Sequence, residues 1–131
     1  MGRVDMPRMK ILLLDDEEPL IKALSLVLMD LGHAVSGFTD AEDAARSIEA
    51  GQYDFAIVDY MMPVRNGIWF MKNAKIPRKT KVLLMTAFVN RGVINEMFKL
   101  GVRGYLIKPI DVEELNHHLA FHAGDRPVEK E

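Results

Sequence analysis

Five side chains far apart in the chain have types that could act together: the adjacent carboxylates Asp15 and Asp16, a third at Asp59, the hydroxyl of Thr86 and the ammonium of Lys108. Asp59 closes the apolar run in YDFAIVD, a place where an ionised carboxylate is costly unless something compensates it. Three carboxylates brought together repel, and their pKa values rise unless a cation sits among them. No basic residue flanks Asp15 or Asp16, so the expected cation is a metal. All-oxygen ligands suit Mg²⁺, which keeps several waters and accepts phosphate oxygens. An aspartate can attack phosphorus to give an acyl phosphate, and that transfer needs positioning and charge neutralisation above all. Lys108 and Thr86 supply a cation and a hydrogen-bond donor for phosphoryl oxygens. Glu17 and Glu18 have a plainer reading, as acids favouring the positive end of the following helix.

For these residues to meet, separate strand ends must converge. Short apolar runs alternate with longer amphipathic segments: KILLL (10–14), AVSGF (34–38), FAIV (55–58), KVLLM (81–85) and GYLI (104–107). The near-continuous runs suit strands covered on both faces. Helices are expected over 19–31, stopped by Gly32, and from Thr39, with Glu42 completing a capping box, to Gly51. A short one follows Asn66-Gly67, another spans 91–100 and stops at Gly101, and the last is capped by Asp111 and ends near Gly124. Strand–helix alternation repeated five times predicts an α/β fold, a doubly wound parallel sheet with five helices on both faces. In such sheets ligands bind outside the carboxyl ends of the strands, where Asp15, Asp59, Thr86 and Lys108 all fall.

Composition narrows the rest. A chain of 131 residues has room for one domain, here 9–123, preceded by an extension, 1–8, and followed by a charged tail or linker start, 124–131. The net charge of −2 gives no global basic field for nucleic acid or anionic lipid. Absence of cysteine removes disulfides, thiol catalysis and cysteine-bound metal. No apolar run is long enough to span a membrane, and MGRVDMPR lacks the core of a secretory signal, so a cytoplasmic address is the default.

In ILLLDDE, AIVDYMMP, VLLMTA and GYLIKP the chain resembles the receiver (response-regulator) domain of two-component signal transduction, of the chemotaxis-receiver kind. The resemblance covers residues 9–123 and implies a flavodoxin-like fold with five strands in the order 2-1-3-4-5. It implies that Asp59 accepts a phosphoryl group from a phosphohistidine on a sensor histidine kinase or phosphotransfer domain. Asp16, Asp59 and the backbone carbonyl of Met61 would ligate Mg²⁺, and Asp15 would hold a metal-bound water. Thr86 and Lys108 would bind the phosphoryl group. Tyr105 matches the aromatic switch that moves inward with Thr86, and the Lys108-Pro109 bond would be cis. The face made by the fourth helix, fifth strand and fifth helix, with Val93, Met97, Tyr105 and Leu115, would meet an effector domain or output protein, or form a homodimer on phosphorylation. Such a domain is a switch and not a turnover enzyme, and does not itself bind nucleic acid. Three departures stand out: Asn66-Gly67 where Asp-Gly is frequent, Arg65 at an often apolar position, and Ile110 for a frequent Phe.

Met61 and Phe88 lie two residues after Asp59 and Thr86, beside the expected path of attacking water. Their apolar bulk predicts slow self-dephosphorylation. His118 and His122 are one turn apart, but two ligands make a weak zinc site, so a solvated helix face is expected. His33 is read as a surface turn residue, and Trp69 and most of the nine methionines as core packing. A phosphohydrolase with an aspartate nucleophile would carry two aspartates one residue apart after its first strand, which Asp15-Asp16 are not. A nucleotide or flavin binder would need a glycine-rich loop where DDEE stands. A pseudo-receiver that only binds partners is the main alternative.

Overall fold

The computed structural model describes residues 7–123; the 124–131 tail, with the expected stop at Gly124, and residues 1–6 lie outside the described residues. The five apolar runs form strands: β1 (Lys10–Leu14), β2 (Ala34–Phe38), β3 (Phe55–Asp59), β4 (Lys81–Thr86) and β5 (Val102–Ile107). Between and after them come α1 (Glu18–Asp30), α2 (Ala41–Ala50), α3 (Gly67–Asn73), α4 (Arg91–Lys99) and α5 (Val112–Ala123). All strand pairs are parallel, in the order β2-β1-β3-β4-β5, giving the flavodoxin-like doubly wound sheet.

The period-two alternation of each strand splits the core into two layers. Ile11, Leu13, Phe55, Ile57, Leu83 and Met85 pack toward α1 and α5, whose contributions include Leu24, Leu28, Leu115 and Leu119. Leu12, Leu14, Ala56, Val58, Val82 and Leu84 pack toward Ala44, Ile48, Phe70 and Met97 of α2, α3 and α4. Central strands buried on both faces read as unbroken apolar runs for this reason. Met97 and Leu115 are core residues, whereas Tyr105 projects from β5 edge-on to Phe98, ring centres 6.4 Å apart.

Several local details differ from the sequence reading. β3 and β4 each run one residue further, so Asp59 and Thr86 are the last residues of their strands. β5 starts at Val102, because pairing shifts between Val82 and Leu83 and leaves Arg103 as an extra residue, the mark of a bulge. The cap of α2 is Asp40, not Thr39; its Oδ1 accepts from the N–H groups of Glu42 and Asp43, which an ionised oxygen does better than a hydroxyl. Asn66 and Asp111 cap as their sequence suggests, the first accepting from Trp69 N–H and the second from Glu113 and Glu114 N–H. Gly32 (φ 98°) and Gly101 (φ 111°) take the left-handed backbone that ends α1 and α4.

Two histidine expectations are overturned. His33 is buried: Gly32 turns the chain so that β2 pairs with β1, and His33 Nδ1 accepts from Met9 N–H at 3.1 Å. Burial holds its pKa below the ordinary value, against the pull of the Asp54 carboxylate. The His118–His122 face is not solvated either. His122 is buried, and the two rings stack 6.0 Å apart. Gly104 leaves a notch in β5 that His118 fills; a Cβ there would lie 3.0 Å from His118 Nδ1. Trp69 is partly buried, with the Arg65 guanidinium 5.0 Å from its ring centre, whereas Met29 and Met61 are exposed.

Val64, in the β3–α3 loop, has φ 69° with its side chain 94% exposed. A β-branched residue in that region is strained by about 1–2 kcal/mol, and no burial repays it. Val64→Gly relieves the strain while adding about 0.5–1 kcal/mol of unfolded-chain entropy. The expected result is a small net rise in the urea midpoint; a fall would show the loop to be relaxed.

Candidate functional site

Parallel strands present all their carboxyl ends at one pole, and the chemistry-bearing residues collect there. Asp15 follows β1 and is fully buried, its N–H donating to Phe38 O at 3.1 Å. Asp59 ends β3 and is 1% exposed; Asp16 is exposed. One carboxylate oxygen from each of Asp15, Asp16 and Asp59 lies within 4.8 Å of the other two. Across β4, Lys108 is anchored by its backbone N–H to Thr86 O at 2.8 Å, and the Lys108-Pro109 peptide is cis.

The ammonium of Lys108 sits among the acids, 2.6 Å from Asp15 Oδ2 and 3.4 Å from Asp59 Oδ2. Alignment at Asp15 Oδ2 is too poor for a hydrogen bond by angle, so charge carries the contact. Lys108, distant in sequence, thus already supplies part of the compensation, beside the divalent cation that the acids were expected to take. Compensation is incomplete. Burial first, and the Asp15 charge second, push the Asp59 pKa up to about 6, although Lys108 and the Met61 backbone N–H pull it down. Burial lowers the Lys108 pKa, but Asp15, Asp59 and Glu17 outweigh it and leave the value raised. Asp59 Oδ1 is buried with no hydrogen-bond partner among the described residues.

Thr86 is fully buried and engaged locally: its Oγ1 lies 3.0 Å from Phe88 O, as donor, and accepts from Phe88 N–H at 2.9 Å. Met61 and Phe88 lie on the loops after β3 and β4, 56% and 46% exposed. Glu17 is the residue that sequence reasoning passed over. It stands at the N-cap of α1 but makes no side-chain cap, and its Oε1 instead lies 3.3 Å from Lys108 Nζ. The available signal was its residue type, since glutamate is not among the favoured N-cap residues.

Residues 11–120 match the family described as Response regulator receiver domain. The chain belongs to that family. This receiver is 33% identical over 117 residues to the chemotaxis protein CheY-3 of Vibrio cholerae, covering 85% of the chain and 88% of that protein. It is 32% identical over 111 residues to the transcriptional regulatory protein BasR of Escherichia coli K12, covering 82% of the chain but 49% of BasR. Among solved structures it resembles the receiver domain of the Pseudomonas aeruginosa PAO1 sensor histidine kinase PA1611, with magnesium ion coordinated in the active site cleft. That likeness has a TM-score of 0.78 at 26% identity, over 91% of this chain and 100% of the other. Receiver domains of two-component systems are switch domains and not classical enzymes. No described helix of this one is long and apolar enough to cross a membrane.

Proposed function

We propose that this receiver accepts a phosphoryl group on Asp59 from the phosphohistidine of a sensor histidine kinase or phosphotransfer domain, and acts as a non-turnover switch in the cytoplasm. The observation that carries the reading is the pocket itself: a buried carboxylate with one unpartnered oxygen, beside a lysine and two further acids drawn from other strand ends. The same oxygens fit a divalent cation. Their donor set is all oxygen, Asp59 Oδ1 is orphaned, and incomplete compensation leaves room for more positive charge. Asp16, Asp59 and the Met61 carbonyl would hold Mg²⁺, with Asp15 acting through water, and the ion would neutralise phosphoryl oxygens.

Asp59, with a pKa of about 6, is mostly ionised at neutral pH and ready as a nucleophile. Its oxygen forms the O–P bond while the P–N bond breaks, the electron pair staying on the imidazole nitrogen. Lys108 leaves Asp15 to neutralise one phosphoryl oxygen, and Thr86 exchanges Phe88 for a second. Tyr105, 36% exposed, follows Thr86 inward. That shifts the population of the α4–β5–α5 face toward the form met by an effector domain, an output protein or a second copy. Residues 9–123 form the switching unit.

Intact mass after incubation with a small phosphodonor, with Mg²⁺ or with chelator, tests this. One phosphoryl group gained only with metal is expected; no gain under either condition favours a pseudo-receiver that only binds partners. The apolar pair at the mouth sets the lifetime. Neither Met61 nor Phe88 can orient water, so Met61→Asn with Phe88→Glu should raise the hydrolysis rate about tenfold or more. An unchanged decay of the phosphorylated protein would remove both residues from that role.

A further inference from the structure

Glu17 has two contacts that nothing in the proposed phosphotransfer uses. Its backbone N–H donates to Asp15 Oδ1 at 2.8 Å, and this tight turn brings its side chain back over the pocket. There Oε1 lies 3.3 Å from Lys108 Nζ, so three carboxylates surround the ammonium, at 2.6 Å (Asp15), 3.3 Å (Glu17) and 3.4 Å (Asp59). Of the three, the Glu17 contact is a hydrogen bond, whereas charge carries the contact with Asp15. The Asp15 and Asp59 side chains are buried and that of Glu17 is 64% exposed, so Glu17 holds the ammonium from the solvent side.

We propose that Glu17 is a positioning residue that restrains Lys108 at the mouth of the pocket and so slows phosphoryl uptake. The inference rests on Asp59 being the phosphoacceptor. For Lys108 to follow a phosphoryl oxygen, its attraction to Glu17 must weaken, and while that pair persists part of the lysine charge is already neutralised. A lone acid at the mouth would also slow an anionic donor, by simple repulsion. The two explanations separate in their dependence on Lys108, because only the restraint disappears when the ammonium does.

The test is a double-mutant cycle of Glu17→Gln and Lys108→Met with two readouts. The first is the rate of phosphoryl uptake from phosphoramidate at saturating Mg²⁺ and low salt. Glu17→Gln should raise it about two- to fivefold with Lys108 present, the range of a partly exposed ion pair, and by at most half that ratio in the Lys108→Met background. Equal ratios in both backgrounds mean bare repulsion and overturn the proposal. The second needs neither metal nor donor: urea unfolding in chelator. Glu17→Gln should lower the folding equilibrium constant about two- to fivefold more with Lys108 than without it. Absence of that coupling also overturns the proposal. If the unsubstituted protein gains no phosphoryl group at all, the phosphoacceptor reading fails and the restraint with it, a result distinct from a protein that is phosphorylated but indifferent to Glu17.

Discussion

Asp59→Asn is expected to abolish phosphoryl uptake and, without metal, to make the fold more stable by about 2 kcal/mol near pH 7.5. Loss of uptake follows from loss of the nucleophilic oxygen. The gain in stability follows from the electrostatics of the pocket. Burial and Asp15 raise the Asp59 pKa from 3.8 to about 6, so the folded state prefers the protonated form. A raised folded pKa contributes stability that is complete below about pH 3.8 and is lost as pH rises through about 6. Above that, ionised Asp59 burdens the fold by about 3 kcal/mol from the shift alone, which water at the mouth trims to about 2. Asparagine carries no charge and escapes the burden. Urea unfolding of both proteins across this pH range checks the prediction. The difference should shrink as pH falls below about 6, and saturating Mg²⁺ should stabilise the wild type more than the variant. A variant no more stable at neutral pH, or a gain independent of pH, would contradict the account.

Gly67→Ala is expected to destabilise the protein by about 2–3 kcal/mol and to cut phosphoryl uptake about tenfold. Gly67 is the first residue of α3 and packs against the backbone of Asp59 and Tyr60, its N–H donating to Tyr60 O at 3.0 Å. A Cβ there would lie 2.9 Å from Asp59 O and 3.1 Å from Tyr60 Cα. These are main-chain atoms of β3 and its exit, and cannot swing aside as a side chain can. Relief requires α3 to back away or the Asp59–Met61 segment to shift, and the second moves both the Asp59 carboxylate and the Met61 carbonyl. The urea midpoint and the uptake rate should therefore fall together. Retention of both would show that α3 yields without disturbing the strand. Asn66-Gly67 in place of Asp-Gly thus keeps the element that matters here: Asn66 still caps α3, and Gly67 still allows the close approach.

Much of this receiver could be read from pattern. Unbroken apolar runs marked β1, β3 and β4, and glycines marked the ends of α1 and α4, because both signals are local: burial on two faces needs a continuous run, and a left-handed residue favours glycine. The order of the strands came from resemblance, since periodicity reports which face is buried and not which strand lies beside which. The acids and Lys108 were identifiable because all of them end or follow strands, and a parallel sheet puts its carboxyl ends at one pole.

What depended on distance through space was not legible. His33 and His118 looked like surface residues, and only the β1–β2 pairing buries the first and the notch at Gly104 partly buries the second. Lys108 was expected in the same pocket as the acids, but not with its ammonium already 2.6 Å from Asp15 and 3.4 Å from Asp59. Glu17 looked like a helix-end acid, and its place over Lys108 follows from the turn after Asp15. Local sequence carries backbone preference and burial, which a few neighbouring residues decide. Which charge offsets which is a matter of a few ångströms between separate strand ends, and only the folded sheet sets those distances.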